Sequence, residues 1–131
     1  KGVDDIWAPS DVYSINELTG DSQVLVDGQV LVGMKPGDDV NTEKPTMPVA
    51  WFKTYTGDEG NTSRVFCTTM GASVDLESAG LRRLVVNACY WGMGMEDKIP
   101  AESNVDYVGD YNPTFFGFGD YAKGIKPAAL R

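Results

Sequence analysis

An α/β domain built around one long apolar helix is the fold class this sequence predicts, and three features of residues 48–94 predict it. First, 49–56 is rich in aromatic and β-branched residues and runs into Gly57-Asp58-Glu59-Gly60-Asn61, a cluster of turn formers. Second, another β-rich run, RVFCTTM, returns over 64–70, so the two runs read as a β-hairpin with a long loop. Third, over 77–93 the residues Leu81, Leu84, Val85, Ala88 and Trp91 or Gly92 recur at the spacing of one helical stripe. Val86, Cys89 and Tyr90 add apolar surface to the other faces. A helix apolar nearly all round is expected to be buried on several sides, between a sheet and further protein.

The totals set the frame for these elements. At 131 residues the chain has the size of one domain with a sizeable core. Nineteen acidic residues against eleven basic ones leave a net charge of −8. That balance argues against nucleic acid and anionic membranes as partners, because neutralising phosphates takes clustered Lys and Arg. The one such cluster, Arg82-Arg83, falls inside the apolar helix. No apolar run reaches the length of a membrane span. The first residue is Lys1 rather than Met, which reads as a trimmed or processed product, loss of an export signal being one route to it.

Taken in order, residues 1–21 suggest an opening loop anchored by Trp7, then a short strand over 12–15. Over 22–34, Val24, Val26, Val30, Leu31 and Val32 flank Asp27-Gly28, a strong hairpin signal, with one bulged strand as the rival reading. Residues 35–47 nearly lack apolar side chains and read as a surface loop. Asp38, Asp39 and Glu43 lie there without the ligand spacing of a calcium loop. Gly92 and Gly94 offer positions to close the helix. The remainder, 96–131, has no sustained period but carries Tyr107, Tyr111, Phe115, Phe116, Phe118 and Tyr121. So many rings do not suit a free tail. The expectation is an extended tail pinned by its aromatics on the domain of 1–95 or on a neighbour, with stacking on sugar rings as the alternative.

The chain contains no histidine, which removes Ser-His-Asp and Cys-His catalysis and every His-ligated metal site. Two cysteines, Cys67 and Cys89, are too few for a thiolate zinc site; they read as small buried hydrophobes, with a strand-to-helix disulfide as the other possibility. Cys67 sits in no nucleophile elbow. Gly117-Phe118-Gly119 is too short to cradle a phosphate. No metal or cofactor is therefore expected. The remaining candidate is the loop from strand to helix, where Thr68, Thr69, Ser73 and Asp75 offer hydroxyls and a carboxylate. Ligands gather at such strand ends in open α/β sheets. The alternative is that Ser73 or Asp75 merely caps the helix.

Three blocks, Pro48-Val49-Ala50-Trp51, Arg64-Val65-Phe66 and Leu81-Arg82-Arg83-Leu84, arrive with the order and spacing of the C-terminal half of ThuA-like (trehalose utilisation) domains, which the chain resembles. The run EDKIPAESNVDYVGDYNPTFFGFGDYAKGIKP is similar to the tail of a bacterial, mostly exported branch of that family. The resemblance implies a class I glutamine-amidotransferase-like α/β fold with a flavodoxin-like sheet. It also implies a role in carbohydrate utilisation, on trehalose or a keto-sugar, and a periplasmic or extracellular location, with the cytoplasm as the alternative. Substrate contacts would fall on Thr69, Gly71, Ala72, Ser73 and Asp75. Many members carry a histidine after the loop glycine, where this chain has Ala72. The first βα units of the family are missing, so a missing N-terminal half or a second copy is expected as partner.

Overall fold

The computed structural model describes residues 1–11, 13–120 and 123–130. Its centre is a three-stranded antiparallel sheet in the order β1-β2-β3, formed by β1 (Gln23–Gly28), β2 (Met47–Thr56) and β3 (Thr62–Thr68). One helix, α1 (Ala79–Gly92), packs against it. Strands β2 and β3 form the expected hairpin. Thr56 pairs with Thr62 across the five-residue loop and Ala50 with Thr68 at the far end. The loop closes through the Gly57 N–H to the Asn61 carbonyl at 3.0 Å, with Gly60 in the left-handed region at φ 81°.

Asp27-Gly28 is not a hairpin turn. The two residues pair with Pro48 and Met47 at the end of β1, which carries register shifts on both sides of Val26. The bulged-strand reading holds over 23–28, because the ladder to β2 overrides the local turn preference, but Val30, Leu31 and Val32 do not continue the strand. Gly28 is also required for space, since a Cβ there would come within 2.6 Å of Val49 Cγ1. Leu31 returns to Val40 as an isolated bridge, and the rest of 32–46 is loop, as its composition implies. No strand forms over 13–15; Val12 lies outside the described residues, as does Tyr121.

Helix α1 starts later than its periodicity suggests. A 3-10 turn, Asp75–Glu77, comes first, and the N-cap is Ser78, whose hydroxyl accepts from the Leu81 N–H at 3.5 Å. The helix ends in a Schellman arrangement: Met95 N–H to Tyr90 O at 2.9 Å, Gly94 N–H to Trp91 O at 3.0 Å, and Gly94 at φ 73°. Ala50, Leu81 and Leu84 are the buried core, with Val3, Ile6, Val26, Phe66, Met70, Leu76 and Val85 around it.

Burial on all sides is not what α1 shows. Gly80, Leu81, Leu84 and Asn87 are its buried residues, and Cys89 is exposed. The sheet covers one face and the chain's two terminal segments cover a second; the flank of Cys89 is left uncovered. The architecture is a two-layer α/β domain with straps. Both cysteines are free thiols, Cys67 half-buried on β3 and Cys89 on the open flank.

Candidate functional site

The loop leaving β3 brings the five expected residues together, but as a knot of internal hydrogen bonds. Thr69 donates its backbone N–H to Val49 O at 3.0 Å. The Thr68 hydroxyl bridges the same carbonyl, at 2.8 Å, and the Met70 N–H, at 3.1 Å. Gly71 and Ala72 each donate a backbone N–H to Asp75 Oδ2 at 3.0 Å. Ser10, 65 residues earlier in the chain, donates its N–H to Asp75 Oδ1 at 3.0 Å and its hydroxyl to Oδ2 at 2.6 Å. Asp75 is 0% exposed. A carboxylate has about four acceptor positions, and here four donors occupy them. Asp75 therefore neither caps α1 nor faces outward. It ties the N-terminal segment and the loop to the helix.

Ser73 is likewise engaged. Its hydroxyl donates to Thr114 O at 3.1 Å, and its carbonyl accepts from the Tyr111 hydroxyl at 2.6 Å. The loop thus seats the tail. The rule that ligands collect at carboxyl ends of parallel strands does not apply to it, because β3 is the antiparallel edge of its sheet.

The first half of α1 is fastened in the same manner. Arg82 donates Nε to Val105 O at 2.7 Å and Nη1 to Leu76 O at 2.7 Å. Its guanidinium lies 4.1 Å from the centre of the Tyr107 ring, which stacks on Tyr111 at 4.8 Å. Arg83 reaches Ser103 O and Gly2 O at 3.1 and 2.8 Å. The Asn87 amide donates to Lys1 O at 2.8 Å and accepts from the Ser103 hydroxyl at 3.1 Å. Every one of these side chains serves the straps. The Arg pair, which sequence reasoning left without a role, could have been found by its lack of acidic partners three or four residues away on the helix.

The second half of α1 is different. Between it and the sheet lies an open apolar cleft of about 430 Å³, walled by Leu25, Phe52, Phe66, Leu84, Ala88 and Trp91. Trp91 meets Phe52 edge-on at 5.1 Å, and the Arg64 guanidinium sits 5.3 Å from its ring centre. Arg64 donates to Trp91 O at 2.7 Å and makes a two-pronged contact with Glu96 at 2.7 and 3.2 Å. That hydrogen bond holds the Glu96 carboxyl below its usual range and raises the Arg64 guanidinium. Sequence reasoning missed this cleft because the walls named come from four separated stretches, β1, β2, β3 and α1.

The tail divides at Thr114. Tyr107 touches Arg82 and Leu76 and Tyr111 touches Ser73, whereas Phe115, Phe116 and Phe118 stand 61%, 75% and 89% exposed. Among the described residues no group of three His, Cys, Asp or Glu side chains is placed to hold a metal ion, and no helix is long and apolar enough to cross a membrane. Comparisons of the chain with protein-family models, with curated proteins and with solved structures each return no match.

Proposed function

We propose that this chain is a non-catalytic interaction module: the C-terminal half of a ThuA-like domain, with the flavodoxin-like, class I glutamine-amidotransferase-like sheet completed by polypeptide outside it. In this reading it serves a periplasmic or extracellular protein of carbohydrate utilisation, acting on trehalose or a keto-sugar. Its contribution is one wall of the domain rather than the reacting groups. The observation that carries the reading is the contrast at the candidate loop: the Asp75 carboxylate is fully buried and saturated by four donors, while the 430 Å³ apolar cleft beside Trp91 stands open. A general acid or base has to reach the proton it moves, and Asp75 does not reach outward. An open apolar cleft of this size calls for an occupant.

Any sugar would meet the module at the rim of the loop, through Thr69, Gly71, Ala72 and Ser73. The test is titration of the isotope-labelled chain with trehalose and its 3-keto derivative, followed by amide chemical shifts and by product analysis. The reading expects shifts confined to 69–73 and no turnover. Turnover by the chain alone would overturn the non-catalytic role. Absence of shifts with every disaccharide would remove the carbohydrate assignment. A second reading, a glycan-binding module using the tail, is favoured by the exposed rings of Phe115, Phe116 and Phe118, and the same titration reads it as shifts at 115–118.

A further inference from the structure

The open cleft and the exposed aromatic segment of the tail are complementary in size and chemistry, and they are found on the same chain. We propose that the cleft beside Trp91 receives the 115–118 segment of a second copy of this chain, in a reciprocal exchange that gives a symmetric dimer. The proposal rests on the reading above that the cleft is completed from outside the chain, and it commits to the source.

Size comes first. A dry cavity of about 150 Å³ holds one benzene ring. A cleft of about 430 Å³ therefore has room for two to three rings. Phe116 and Phe118 form a preassembled pair, edge-on at 5.0 Å, held by a turn in which the Asp120 N–H donates to Gly117 O at 3.0 Å. Phe118 sits at φ 45°, in the left-handed region that a bulky residue rarely occupies. Such strain persists where something outside the local chain stabilises it, and within this chain the ring it presents is 89% exposed.

Thr114 is tied to Ser73 through the Ser73 hydroxyl, and in its own chain the segment stays out of the cleft, with Phe115, Phe116 and Phe118 standing 61%, 75% and 89% exposed. These rings are therefore available to the cleft of another copy.

Area decides between a one-way insertion and an exchange. Each ring carries about 150–250 Å² of surface, so at the observed exposures the three present about 450 Å². With the cleft walls counted, one insertion removes about 600 Å² from water, short of a stable interface. Two reciprocal insertions remove about 1,200 Å², where stable interfaces begin. A two-fold pair makes each contact twice and closes on itself, whereas one-way insertion would run on into filaments.

Sedimentation of the full chain tests this, with far-UV circular dichroism checking that each variant folds. The substitutions lie at exposed positions: Phe116→Asp with Phe118→Asp in the segment, and Leu25→Asp at the cleft wall. The wild-type chain is expected to dimerise at tens of micromolar, more tightly in higher salt because each copy carries −8. Each variant should weaken the dimer at least tenfold. A dimer lost in Leu25→Asp but kept in the Phe variant would overturn the assignment of the segment, and a dimer indifferent to both would overturn the interface. A monomeric wild type that binds the apolar dye anilinonaphthalene sulfonate would overturn the exchange while leaving the open cleft of the proposed function standing. A monomer that binds no dye would remove both.

Discussion

The two halves of α1 are treated differently by the rest of the chain. From Gly80 to Asn87 the helix is locked: Leu81 is 0% exposed, and Arg82, Arg83 and Asn87 bind backbone carbonyls of the terminal straps. From Ala88 to Gly92 it borders an open apolar cleft and its Cys89 side is bare. The first half adds specific hydrogen bonds to its core contacts, whereas the second, apart from the contacts of Trp91 with Phe52 and Arg64, lines the open cleft. Hydrogen bonds to particular carbonyls fix a position, whereas apolar walls accept whatever shape fills them. The locked half accordingly builds the fold, and the open half is the surface on which the proposed partner would act.

The largest effect expected in the locked half is that of Asp75→Ala. It removes the acceptor from the part-buried hydrogen bonds of the Ser10, Gly71 and Ala72 N–H groups, leaves a void where the buried carboxylate sat and releases the N-terminal strap, at a cost of about 2–3 kcal/mol measured by urea unfolding. Gly80→Ala comes next. Alanine favours a helix by about 1 kcal/mol, but here its Cβ would collide with the Asp5 carbonyl and press on Ile6. The clash should win, leaving a net loss of about 1–2 kcal/mol. In the open half the sign reverses. Ala88→Leu adds methylenes facing free space, each worth about 0.8 kcal/mol when buried, and should raise stability by about 1 kcal/mol in the monomer.

The smallest effect belongs to the exposed Arg64–Glu96 pair. Because the Arg64 hydrogen bond lowers the Glu96 carboxyl below its unfolded value, its contribution is present at neutral pH. It is lost as the pH falls through the carboxylate range. Solvent screens the pair, so the increment is small. In Glu96→Gln that part of the acid sensitivity should vanish from melting curves taken across this range.

What the sequence made legible follows the same division. The 49–68 hairpin and α1 could be read because their signals are local: β-branched runs on either side of a glycine-bearing loop, and a 3.6-residue stripe from Leu81 to Trp91. Asp27-Gly28 misled because pairing to Met47 and Pro48 outweighed its turn preference. The five loop residues do come together, yet Asp75 answers to Ser10, and nothing within several residues of either announces the other. The apolar surface round α1 was visible, but whether a given flank would be strapped, sheeted or left bare depended on where both termini ran. The family resemblance and its carbohydrate role stand as the proposal above.

Amide hydrogen exchange along α1, read residue by residue at two protein concentrations, tests the division between its halves most directly. Protection is predicted to be high and independent of concentration from Arg82 to Asn87, and lower in dilute solution from Ala88 to Gly92, rising there as concentration increases. Uniform protection along the whole helix at both concentrations would contradict it.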